Sequence, residues 1–134
     1  MACPLFEPTE PHPNDGPSDR PRPPLGRLWA GRCCAWDPPR EAPEGVLLSG
    51  CNLGYARGEC ERLPDGAADA VRFSVVGADA RFVQIRWLVE RDTLPDNAGT
   101  ARYEIAGRCW QGLDGDALLE RQAAFYVRAY LEGC

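Results

Sequence analysis

From residue 69 onward, apolar and polar positions alternate in short runs. Val71, Phe73 and Val75 are separated by Arg72 and Ser74. Val83, Ile85, Trp87 and Val89 share one parity, while Gln84, Arg86 and Glu90 share the other with Phe82 and Leu88. Ala101, Tyr103 and Ile105 then alternate with Arg102 and Glu104. A period of two is the pattern of a strand with one buried face. Gly77-Ala78-Asp79-Ala80 predicts a turn, and the stretch from Asp92 to Gly99 a longer loop. Residues 69–107 are therefore expected to form a three-stranded antiparallel meander.

The period changes after Asp114-Gly115-Asp116, which offers an N-cap and acidic charge at the positive end of a helix. At 100° per residue, Leu118, Leu119, Ala123, Phe125, Tyr126, Val127, Ala129 and Tyr130 fall on one broad arc. Glu120, Arg121, Arg128 and Glu132 fall opposite, and Gly133 stands where a helix-ending glycine belongs. A helix over 115–132, packed on the apolar face of the meander, gives a small α+β domain.

The first half of the chain lacks such periodicity. Residues 1–27 hold eight of the 13 prolines, with Leu5, Phe6 and Leu25 as their only large apolar side chains. So little apolar surface does not offset the entropy of ordering a chain, so a disordered, polyproline-like tail is expected there. Arg20-Pro21-Arg22-Pro23-Pro24 is its best candidate for docking. Residues 28–64 read as loops rich in cysteine and glycine, with Gly45-Val46-Leu47-Leu48 as one short strand. The domain proper is thus expected over 28–134.

Length and charge narrow the function classes. At 134 residues the chain has room for one domain, and its formal net charge is −5. All 15 basic residues are arginine. An acidic, lysine-free chain is a poor match for nucleic-acid backbone, and no apolar run approaches the ~20 residues of a membrane span. The first residues carry neither the positive charge nor the apolar stretch of an export signal, so a cytoplasmic location with reduced thiols is expected.

Reduced thiols change the meaning of seven cysteines. Cys33, Cys34, Cys51 and Cys60 lie close in sequence, and Cys109 follows the last predicted strand. Thiolates are preferred ligands for iron–sulfur clusters and for zinc, and four converging sulfurs complete a first shell. Cys33 or Cys34, with Cys51, Cys60 and Cys109, is the set expected to ligate. The paired C-x2-C knuckles of structural zinc are missing, which puts an iron–sulfur centre ahead of zinc. The site would be structural or electron-transferring.

Two other readings stay open. The cysteines can be small buried apolar residues in a metal-free module that binds a protein partner. Alternatively, the vicinal pair Cys33-Cys34, with Arg32 beside it, can serve thiol redox chemistry. Catalysis of other kinds has little support. The single histidine, His12, falls in the Pro-rich stretch, and without lysine no phosphate-binding P-loop exists. Asp92, Asp96 and Asn97 lack the spacing of a calcium loop and read as an ordinary polar turn.

Overall fold

The computed structural model describes residues 1–13, 23–36, 38–43, 45, 47–53, 68–92, 94–113 and 116–132. Alternation over residues 70–104 builds β4 (Ala70–Ala78), β5 (Phe82–Arg91) and β6 (Leu94–Glu104) as antiparallel neighbours. The meander has a fourth strand, β7 (Cys109–Gln111), so three strands were one too few. The turn after β4 sits where expected. Asp79 Oδ1 accepts the backbone N–H groups of Arg81 and Phe82 at 2.7 and 2.9 Å, a side chain closing a turn on its own backbone.

The loop expected from Asp92 to Gly99 is mostly strand instead. Arg91 pairs with Leu94, so β5 and β6 join through a two-residue turn in which Asp92 takes φ 52°. Positive φ matches the right-handed twist of a tight hairpin, and Asp tolerates it. The proline and polar residues that suggest a loop are absorbed by an irregularity in the ladder between Val89 and Glu90, opposite Pro95 and Asn97. Gly99 has a packing role: a Cβ there would lie 2.8 Å from the indole of Trp87, which covers it from the opposite strand.

A second sheet was not expected. Its strands are β1 (Phe6–Pro11), β2 (Trp29–Cys33) and β3 (Arg40–Glu41), ordered β1-β2-β3. The disordered reading of 1–27 therefore fails for residues 1–13. Phe6 and Pro8 alternate inward with Glu7 and Thr9, and Phe6 is 1% exposed. Proline is tolerated because β1 is an edge strand, where a missing N–H costs no second ladder. Ala2 goes further still, exchanging two backbone hydrogen bonds of 2.8 Å with Val71 of β4. His12 follows β1 and donates its N–H to the Leu28 carbonyl. The strand expected at 45–48 is replaced by a π-helical turn, Leu47–Asn52. Residues 14–22, with Arg20 to Arg22 of the docking segment, lie outside the described residues.

Helix α1 (Ala117–Glu132) begins two residues later than predicted. Asp116 is its cap, accepting the Leu119 N–H at 2.9 Å. Leu119, Ala123, Val127 and Ala129 enter the core formed with Phe6, Leu25, Trp29, Val71, Phe73 and Ile85. Tyr126 stacks on Phe73 of β4 at 5.6 Å, and Phe125 meets Trp29 of β2 edge-on at 4.8 Å. The helix thus serves both sheets. Gln122 lies on the same buried face and donates two hydrogen bonds, to the Cys3 and Phe6 carbonyls at 2.8 and 2.7 Å. Among the described residues no helix is long and apolar enough to cross a membrane.

Candidate functional site

The cysteines come first, because the sequence marks them. Cys33 ends β2, paired with Phe6 on one side and Arg40 on the other, and it is buried. Cys34 opens the following turn, its N–H bonded to the Leu5 carbonyl at 2.8 Å. Its sulfur lies 3.9 Å from a carboxylate oxygen of Glu7. Burial pushes the Cys34 thiol up from its ordinary value, and the Glu7 charge and Cys33 add to this against the opposing Arg32. That environment works against the thiolate that thiol–disulfide exchange requires.

Cys51 is buried in the π-helical turn, and its carbonyl accepts the N–H of Cys3 at 3.1 Å. Cys3, which was not among the candidate ligands, is also buried. Cys33, Cys34, Cys51 and Cys3 are thus carried to one end of the fold, where the amino-terminal segment crosses β4. Cys109 is not. It is exposed on β7 opposite Glu104, whose carboxylate lies 3.8 Å from its sulfur. Glu104 pairs with Phe82, whereas Val71, next to Ala2, pairs with Val89. Seven residues of β5 separate those levels, about 23 Å at ~3.3 Å per residue. Sulfur ligands about 2.3 Å from one zinc ion cannot span that. The set of four built from sequence therefore does not assemble with Cys109 in it. Cys60 lies outside the described residues. Among those described, no three Cys, His, Asp or Glu side chains converge in a way that could hold a metal.

A different constellation stands on the solvent face of the four-stranded sheet. The parity that sends Phe73, Ile85 and Ala101 inward sends Arg72, Arg86 and Arg102 outward, and all three are exposed. Register aligns them. Arg72 pairs with Leu88 and Arg86 with Ser74, while on the next strand Arg86 pairs with Thr100 and Arg102 with Gln84. Each arginine is thus displaced by two residues from the next, placing the three on one diagonal across β4, β5 and β6. Diagonal neighbours of this kind stand about 7–8 Å apart.

None of the three guanidiniums has an ion-pair partner among the described residues, where the pairs are Arg27–Glu132, Arg91–Asp96, Arg121–Glu7 and Arg128–Glu132. Arg102 rests over the Phe82 ring at 5.0 Å, with Arg81 at 5.4 Å from the same ring. Beside them opens a cleft of about 340 Å³ lined by Gly77, Ala78, Asp79, Phe82, Gln84 and Arg102. Its one carboxylate, Asp79, is occupied by backbone N–H groups, which hold its carboxyl below the ordinary value. Ser74, Gln84, Thr100 and Gln111 flank the diagonal with neutral hydrogen-bonding groups, and Glu90 and Glu104 stand at its two ends. Along the sequence these arginines are only the polar half of an alternation.

Comparison of the chain with protein families, with curated proteins and with solved structures finds no match.

Proposed function

We propose that the chain is a protein-interaction module that receives an acidic polypeptide on the solvent face of its four-stranded sheet. The observation that carries this reading is the row of three exposed arginines without an ion pair among the described residues, in a chain whose net charge is −5. Exposed arginines scattered over an acidic protein find carboxylates nearby; three without an ion pair among the described residues on one face create a local positive field. Complementary charge steers encounter and selects partners. The buried positions of Cys3, Cys33 and Cys51 support cysteines that fill space in this module.

Binding of poly-L-glutamate, followed by fluorescence anisotropy at low and at physiological salt, tests the proposal. Wild-type protein is expected to bind in a salt-sensitive manner, and the triple variant R72Q/R86Q/R102Q to lose that binding while keeping its circular dichroism spectrum. Equal binding by both proteins, or none by either at low salt, ends the proposal.

A second reading retains a cysteine-ligated ion, an iron–sulfur centre ahead of zinc. What favours it is that Cys33 and Cys51 are buried at the same end of the fold as Cys3, although these three do not converge on one point among the described residues and Cys60 lies outside them. Iron, sulfide and zinc per chain, measured after anaerobic purification without chelator, decide it. A folded protein without stoichiometric metal ends this reading.

A further inference from the structure

We infer that the acidic partner docks in extended conformation along the arginine diagonal, with carboxylates at alternate residues facing Arg72, Arg86 and Arg102. The inference rests on the interaction-module reading and adds to it the conformation and charge spacing of the occupant. Two observations carry it.

The first is spacing. Successive arginines on the diagonal are about 7–8 Å apart at the backbone. Side chains on one face of an extended chain recur every two residues, about 6.7 Å. Arginine side chains are long enough to absorb the small difference. A sequence with an acidic residue at every second position therefore offers one carboxylate to each guanidinium.

The second is the chemistry between the arginines. Ser74 and Thr100 face Arg86 from either side, and Gln84 stands between Arg102 and Gly77 in the ladder, with Gln111 beyond Arg102. These hydroxyls and amides both donate and accept. A helical partner satisfies its own backbone groups and has no use for them, whereas an extended chain presents free N–H and C=O groups along both sides. The diagonal ends in the cleft where Phe82 lies under Arg102 and Arg81. That apolar floor suits the methylene groups of a glutamate whose carboxylate meets Arg102.

Charge also decides between an acidic peptide and single-stranded nucleic acid. Phe82 is the only aromatic side chain on the outward parity of β4, β5 and β6. Strand-tracking nucleic-acid sites combine a basic groove with several stacking rings. Glu90 and Glu104 at the ends of the diagonal oppose a longer polyanion running past it.

The test uses the full chain and labelled synthetic peptides. An alternating Glu-Ser peptide is compared with one carrying the same number of glutamates at every third position. A helix-forming peptide with glutamates every fourth residue and an oligo-dT of equal charge complete the series. The alternating peptide is expected to bind about fivefold tighter than the others. Each of R72Q, R86Q and R102Q should weaken it by about two- to fivefold, the size of one exposed Arg–carboxylate contact. Equal affinity for both peptide spacings, with the arginine dependence intact, overturns the extended alignment and leaves the interaction module standing. Tighter binding of the helical peptide overturns it in the same way, and tighter binding of oligo-dT overturns the partner class. Absence of binding to every probe at low salt overturns both the inference and the reading beneath it.

Discussion

Replacing Asn52 by leucine should cost the fold about 3–6 kcal/mol, far more than removing a polar residue usually does. Asn52 is fully buried. Its side-chain oxygen accepts the Trp29 N–H at 2.8 Å, and its amide nitrogen donates to the carbonyls of Trp29 and Leu47 at 2.9 and 2.8 Å. The reason lies in the smaller sheet. β2 is its central strand, but β3 pairs only with Arg32 and Cys33. At Trp29 the β3 side of the ladder is open, and the carboxamide of Asn52 occupies the place of a neighbouring strand's peptide group. Leucine has a similar volume and no polar atoms, so packing changes little. It leaves one N–H and two carbonyls buried with a partner lost. Each such group costs about 1–3 kcal/mol, and the lower half of that range over three groups gives the figure stated. Against a typical total of ~5–15 kcal/mol, this is a large share.

Urea unfolding followed by tryptophan fluorescence and circular dichroism measures the effect as a shift in midpoint at constant slope. Asn97→Ala, at an exposed position on β6, serves as the reference and should stay within about 0.5 kcal/mol. Asn52→Asp sharpens the argument. It keeps an acceptor for Trp29 but turns an oxygen toward two carbonyls, so the introduced carboxyl favours its protonated form and has a raised folded-state pKa. The native state then binds more protons than the unfolded state above about pH 4, and stability must fall as pH rises from there. A loss below about 1 kcal/mol for the leucine variant, or an aspartate variant insensitive to pH, would refute the reasoning.

Three further outcomes follow from the same structure. Gln122→Leu removes the donors to the Cys3 and Phe6 carbonyls, so it should cost about 2 kcal/mol and raise hydrogen exchange or proteolysis in the first residues; unaltered protection there would contradict it. Cys34 should alkylate more slowly than exposed Cys109 near neutral pH, and Glu7→Gln should speed Cys34 alone, both read by mass spectrometry; equal rates in wild type would remove the argument against a reactive thiolate. Asp79, whose carboxylate is held by the N–H groups of Arg81 and Phe82, should titrate by NMR below its ordinary 3.8. With the folded pKa depressed, its contribution to stability is present above 3.8 and lost as pH falls through the depressed value, and a midpoint at or above 3.8 would contradict the turn.

How much of this was legible in the chain varies with the range of the interaction. Parity within β4 and β5 and the arc of the helix are local, and both survive in the structure. β1 is masked by the high proline content of the block around it, whereas the informative feature is positional: Phe6 and Pro8 alternate with Glu7 and Thr9 on an edge strand that needs only one set of ladder bonds. Gln122 carried a usable signal, a polar residue one position from Ala123 within an apolar arc, which marks a buried hydrogen-bonding duty. Asn52 carried none, since two of its three hydrogen bonds go to Trp29, 23 residues away on another element. Cys109 was joined to the other cysteines because it follows the third predicted strand, and the hairpin into β7 carries it instead to the far corner of the sheet.

The arginine diagonal shows why a site can be invisible along a chain and still follow from it. Parity places Arg72, Arg86 and Arg102 outside, but only register makes a line of them. That register avoids the costly arrangement, since like charges directly opposite one another destabilise a ladder and here each arginine faces Leu88, Ser74, Thr100, Gln84 or Gln111 instead. Diagonal repulsion remains, because no carboxylate among the described residues pairs with any of the three. A face kept for stability alone would not retain it. Arg86 is in the middle and feels both neighbours, so Arg86→Gln should leave the fold as stable as wild type or a few tenths of a kcal/mol more stable, while weakening binding of the acidic peptide. Opposite signs for stability and binding are the mark of a group kept for function. Thermal unfolding and peptide affinity measured on the same variant read both signs, and a loss of stability above about 1 kcal/mol would return Arg86 to the fold and remove the centre of the proposed site.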